Sequence, residues 1–66
     1  MIELHQFTET NTTPDFNNAT PVLINPVHIQ MIVPEPDYNT SVITFSDGTR
    51  THVIESFKQI KELINS

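Results

Sequence analysis

Apolar and polar positions alternate with period two near both ends of the chain and shift to a helical period at the C-terminus. In Ile2–Phe7, Ile2 and Leu4 fall on one side, Glu3 and His5 on the other, and Gln6 and Phe7 follow, which predicts a first strand. Thr8 to Thr20 is polar, rich in Asn and Thr, with only Phe16 and Ala19 as apolar side chains apart from Pro14. Such a segment offsets little of its ordering entropy by burial, so residues 8–20 are expected to form a long, mobile loop with Phe16 as its lone anchor. Pro21-Val22-Leu23-Ile24 reads as a second strand, closed by the turn signal Asn25-Pro26 and a single helical turn from Pro26 to His28. Ile29 to Val33 reads as a third strand, ended by Pro34-Glu35-Pro36-Asp37, because proline cannot donate to a ladder.

The clearest strands are Ser41 to Ser46 and Thr49 to Ile54, forming a hairpin over 41–54 turned at Asp47-Gly48, the only glycine. A two-residue loop would set Ile43 opposite His52 and Phe45 opposite Arg50. A three-residue loop with Gly48 left-handed in a G1 bulge sets Ile43 opposite Thr51 and Ser41 opposite Val53. That register gathers Ile43, Phe45, Thr51 and Val53 on one face, and leaves Val42, Thr44, Arg50 and His52 on the other. A one-residue slip flips every side chain, so burial selects the bulged turn. Ser56 and Gln59 then have the spacing of a capping box. Phe57, Ile60, Leu63 and Ile64 recur as one helical stripe over 56–65, with Lys58, Lys61 and Glu62 left for water. Such a short helix is marginal alone and must pack its stripe on the hairpin. The expected fold is α+β: a small antiparallel sheet of four or five strands with one C-terminal helix on one face.

Composition narrows the function more than it names it. Sixty-six residues make a single small domain, and cysteine is absent. A domain of this size buries only about 60% of its unfolded surface, and without disulfides its usual remaining support is another chain. A protein partner, a homo-oligomer, or both, is therefore expected. Net charge is −5, no Lys or Arg occurs before Arg50, and three basic residues release few counterions, which argues against direct nucleic-acid binding. No apolar run approaches the roughly 20 residues of a membrane span, and the N-terminus lacks a signal-peptide pattern. A cytoplasmic protein without membrane insertion is expected, with the sequons at Asn11, Asn18 and Asn39 unused.

Candidate chemistry is thin. His5, His28 and His52 are scattered without ligand spacing, so no metal or other cofactor is expected. Glu35 and Asp37 sit on a Pro-rich turn, better read as solvated than as a catalytic carboxylate pair. No nucleophile elbow or Gly-rich phosphate loop appears, so an enzyme is not expected. What remains is shape: Val42, Thr44, Arg50 and His52 form a candidate interaction face, while Asp47, Gly48, Ser56 and Gln59 have structural roles.

Met1-Ile2-Glu3-Leu4, Ile24-Asn25-Pro26, Thr40 to Phe45, Asp47-Gly48 and Val53-Ile54-Glu55-Ser56, followed by Ile60 and Leu63-Ile64, together resemble the small FlbD/SwrD-type flagellar and swarming motility proteins. The polar stretch Thr8 to Thr20 departs from that pattern, replacing a tight Asn-Gly turn. The resemblance implies a non-enzymatic cytoplasmic motility accessory protein, with no catalytic residues to carry over. The alternative is an acidic inhibitor or nucleic-acid mimic of phage or mobile-element type, occupying a basic site on a host protein.

Overall fold

A computed structural model describes residues 1–7, 9–10, 13–14 and 19–65. Five antiparallel strands form the main sheet: β1 (Ile2–Phe7), β4 (Thr20–Ile24), β5 (Ile29–Pro34), β6 (Ser41–Phe45) and β7 (Arg50–Val53), in the spatial order β4-β1-β7-β6-β5. The helix α1 (Phe57–Ile64) follows β7. The architecture is thus the expected small α+β fold. Within the stretch expected to be a mobile loop, β2 (Glu9–Thr10) pairs with β3 (Thr13–Pro14), and Thr20 already belongs to β4. Backbone pairing supplies order there that side-chain composition does not reveal. Phe16, the expected anchor, lies outside the described residues.

Local chemistry explains the turns. Asn25 Oδ1 accepts from the Val27 N–H at 3.1 Å and its carbonyl accepts from the His28 N–H at 3.0 Å, closing a 3-10 turn over Pro26–His28. The β6–β7 hairpin has Ser41 opposite Val53 and Ile43 opposite Thr51, the register of the bulged turn. Gly48 has φ +92°, its N–H donates to the Phe45 carbonyl at 2.9 Å, and the Phe45 N–H donates to the Thr49 carbonyl at 2.8 Å. Asp47 Oδ1 accepts from the Thr49 hydroxyl at 2.7 Å and from the Thr49 N–H at 3.0 Å. Those bonds, the hydroxyl's first, hold the Asp47 carboxyl below its ordinary value. Ser56 caps the helix reciprocally: the Gln59 N–H donates to Ser56 Oγ at 3.2 Å and the Ser56 N–H donates to Gln59 Oε1 at 2.8 Å.

The core lies between α1 and one face of the sheet. Leu4, Ile43, Val53 and Ile60 are fully buried, Ile2 and Ile24 nearly so, and Val22, Ile29, Ile32 and Phe45 pack around them. Full burial of one such side chain stabilises by about 1.5–3 kcal/mol. The helical stripe is covered less completely than its pattern suggests. Ile60 is buried, whereas Phe57 and Ile64 remain 42% and 39% exposed and Leu63 is also open.

Candidate interaction face

Antiparallel register decides which side chains share the face opposite the helix. Thr44 sits opposite both Met31 and Arg50, and Val42 sits opposite both Val33 and His52. His52 also sits opposite Phe7 of β1. Val42, Thr44, Arg50 and His52, expected to share a face, therefore form two cross-strand rows: Met31-Thr44-Arg50 and Val33-Val42-His52-Phe7. Met31 is 53% exposed and Val33 42%, Arg50 is exposed, and Val42, Thr44 and His52 are half-buried.

Three members of this surface escape a reading of the hairpin alone. Phe7 is buried on the open side, outside the main core, with its ring 5.7 Å from the His52 ring at a 56° tilt. Its phase along β1, two residues beyond His5 and four beyond Glu3, was the available signal. Met31 and Val33 join because β5 flanks β6, which alternation in β5 suggests but does not fix.

Two of the three histidines also have carboxylate partners that linear spacing hid. His52 Nδ1 lies 3.0 Å from Glu35 Oε1, and His5 Nδ1 lies 2.7 Å from Glu55 Oε2. A carboxylate oxygen is the acceptor, so each Nδ1 carries the donated proton. Glu55 Oε1 also accepts from the His5 N–H at 2.8 Å, while the Ile54 N–H donates to the His5 carbonyl at 2.9 Å. Beyond the end of β7, the Glu55 side chain thus continues the ladder along β1. Its backbone carbonyl accepts from Ser41 Oγ at 3.0 Å, anchoring β6 to the helix entry. Glu35 is similarly fixed, its N–H donating to the Thr40 carbonyl at 2.9 Å across the Pro36-Asp37 turn. The Glu35 carboxylate turns to His52 and is partly buried instead of standing free in solvent on its turn. Among the described residues no group of three or more metal-ligating side chains converges.

Elsewhere the surface differs in charge. Glu3, Glu55, Gln59, Glu62 and Leu63 line a shallow cleft beside the start of β1. On the other side of the helix entry, Tyr38, Asn39, Thr40 and Ile54 line a smaller, mostly apolar one. Among the described residues no helix is long and apolar enough to cross a membrane.

No curated protein and no solved structure matches the chain. A family model, described as flagellar and swarming motility proteins, matches residues 1–66, and those residues include the strands, hairpin and capped helix described above. The chain therefore belongs to the FlbD family of flagellar and swarming motility proteins.

Proposed function

We propose that this chain is a non-enzymatic protein–protein interaction module, acting in the cytoplasm as an accessory to the motility apparatus. Family membership supports the motility setting. The observation that carries the interaction reading is the pair of cross-strand rows on the open face, where Met31 and Val33 stand exposed beside Thr44, Arg50 and His52. Semi-apolar sheet faces with a few fixed polar groups are what partner proteins bury. The His52–Glu35 bond holds one of those polar groups in place, and no reaction is needed to explain it.

The direct test is complementation of swimming and swarming in a strain lacking the gene. Arg50→Glu combined with Thr44→Lys should fail to restore motility while remaining folded by circular dichroism. Lys58→Glu, on the exposed side of α1, should restore it. Full restoration by the open-face variant would defeat the reading. The acidic-mimic alternative draws on the carboxylates of Glu3, Glu55 and Glu62 around one cleft, although Glu55 is already engaged by His5. Partner binding that weakens steeply with added salt would favour it.

A further inference from the structure

Two buried side-chain hydroxyls, Thr40 Oγ1 and Thr51 Oγ1, have no hydrogen-bond partner among the described residues. A buried polar group left unpaired costs stability, so each calls for a reason. Their surroundings differ. Thr51 lies opposite Ile43 on the helix side of the hairpin. Thr40 is only 6% exposed, yet it forms part of the wall of a surface cleft with Tyr38, Asn39 and Ile54. That cleft holds about 240 Å³ and its walls are mostly apolar. Backbone bonds fix two of its sides: the Thr40 carbonyl accepts from the Glu35 N–H, and the Ile54 N–H donates to the His5 carbonyl, each at 2.9 Å. Strand alternation puts Thr40 in phase with Val42 and Ile54 in phase with His52, so the cleft adjoins the open face. Glu35 joins the two, since its carboxylate holds His52 while its N–H holds the Thr40 carbonyl.

We propose that this cleft is the anchor pocket for one tyrosine side chain of the protein partner, carried on a segment with lysine or arginine beside it. Size, polarity and charge each narrow the occupant. Pockets for cofactors and drug-sized ligands measure about 300–1,000 Å³, so a cleft of about 240 Å³ suits a single side chain. Mostly apolar walls with one unpaired hydroxyl suit an apolar body with a polar tip, which among aromatic residues means tyrosine or tryptophan. Tyrosine is the smaller, and its hydroxyl can either donate to Thr40 Oγ1 or accept from it. A staggered turn about the Thr40 Cα–Cβ bond lets the hydroxyl take the place of the methyl group when that tip arrives. Aromatic anchors seated in preformed pockets carry much of the energy of protein interfaces. The surroundings are acidic. Glu35 and Asp37 are the only charged residues between Ile29 and Ser46, Asp37 stands exposed next to Tyr38, and no lysine or arginine occurs before Arg50. A basic residue flanking the tyrosine meets that charge, whereas an acidic one is repelled. The unpaired hydroxyl is then a cost to the free protein that partner binding removes. The proposal rests on the reading of this chain as an interaction module and names the chemistry its partner presents.

Amide NMR titration of the full chain tests this with end-blocked tripeptides. Lys-Tyr-Lys should shift the signals of Tyr38, Asn39, Thr40 and Ile54 and saturate. Lys-Phe-Lys, which lacks the hydroxyl, and Glu-Tyr-Glu, which reverses the charge, should each bind at least about threefold more weakly. Lys-Ala-Lys should not saturate at these residues. Thr40→Val should bind Lys-Tyr-Lys and Lys-Phe-Lys alike, while Thr51→Val should keep the preference for tyrosine, which separates loss of a contact from a general change in stability. An absence of saturable shifts at the cleft with Lys-Tyr-Lys overturns the proposal. So does an equal response to Lys-Ala-Lys, or a preference for tyrosine that survives Thr40→Val. The complementation test changes Thr44 and Arg50, which do not line the cleft, so failure of the peptides leaves that reading intact and its own failure is seen without them.

Discussion

On the helix side of the sheet, Leu4, Ile43 and Val53 meet Ile60 with no solvent access, and Ile2, Ile24 and Ile32 pack around them. On the opposite side the same strands present Met31, Val33, Thr44, Arg50 and His52, mixed in polarity and wholly or partly open. Val42 and Ile43 are neighbours in sequence and belong to different environments. The contrast shows how so short a chain can divide its labour. Alternate residues of one strand are committed to stability and to contact with others, and the hairpin register decides which residue receives which task.

The largest effect should separate the two sides. Ile60→Ala should destabilise by about 3 kcal/mol in urea unfolding, as expected when a fully buried aliphatic side chain leaves a cavity. Val42→Ala, half-buried on the open side, should cost well under half of that. Equal losses would break the distinction between a structural and a recognition face. Gly48→Ala tests what keeps the faces apart. No heavy atom lies within 4 Å of an added Cβ, so the cost comes only from the left-handed backbone at φ +92°, about 1 kcal/mol or more. A neutral result would mean that the turn does not hold the register.

Thr51→Val sharpens the comparison in the other direction. Thr51 lies opposite Ile43 on the helix side, and its Oγ1 is buried without a hydrogen-bond partner among the described residues. Replacing that hydroxyl by a methyl group should raise stability by about 1 kcal/mol, observable as a higher Tm. The smallest effect concerns pH at the hairpin tip. Asp47 has a lowered folded pKa, so its contribution is present above the ordinary aspartate range and fades as pH falls through the folded value, below about 4. Asp47→Asn should flatten that part of the acid unfolding curve. An unchanged curve would show that the Thr49 bonds do not matter for folding.

Much of this was legible because local rules and burial agreed. One glycine, a clean two-residue period and the Ser56–Gln59 spacing specify the hairpin and its helix from nearby residues alone. The 3-10 turn at Pro26 followed equally from Asn25 and proline chemistry. Other features depend on long-range pairing and left no local trace. Placing β1 between β4 and β7 brings His5 to Glu55, fifty residues away, and Phe7 to His52. The β2–β3 ladder rests on backbone bonds within a segment whose composition argues for a loop. Partial exposure of Phe57 and Ile64 is also invisible locally, because a helical stripe reports which side faces the sheet but not how much of it is covered.

The bond between Glu55 and His5 has a consequence for the order of assembly. β1 pairs with β4, close by in the chain, whereas its other neighbours, β7 and Glu55, lie far along it. The 41–64 unit can form from contacts close in the chain, whereas seating β1 in the middle of the sheet must close a loop of about fifty residues, a slower and entropically costlier step. Seating β1 against β7 is therefore the step that closes the fold, after the local pairings of β1 with β4 and of β6 with β7. Until that step Ile2 and Leu4 have no helix-covered core to enter and stay open to solvent.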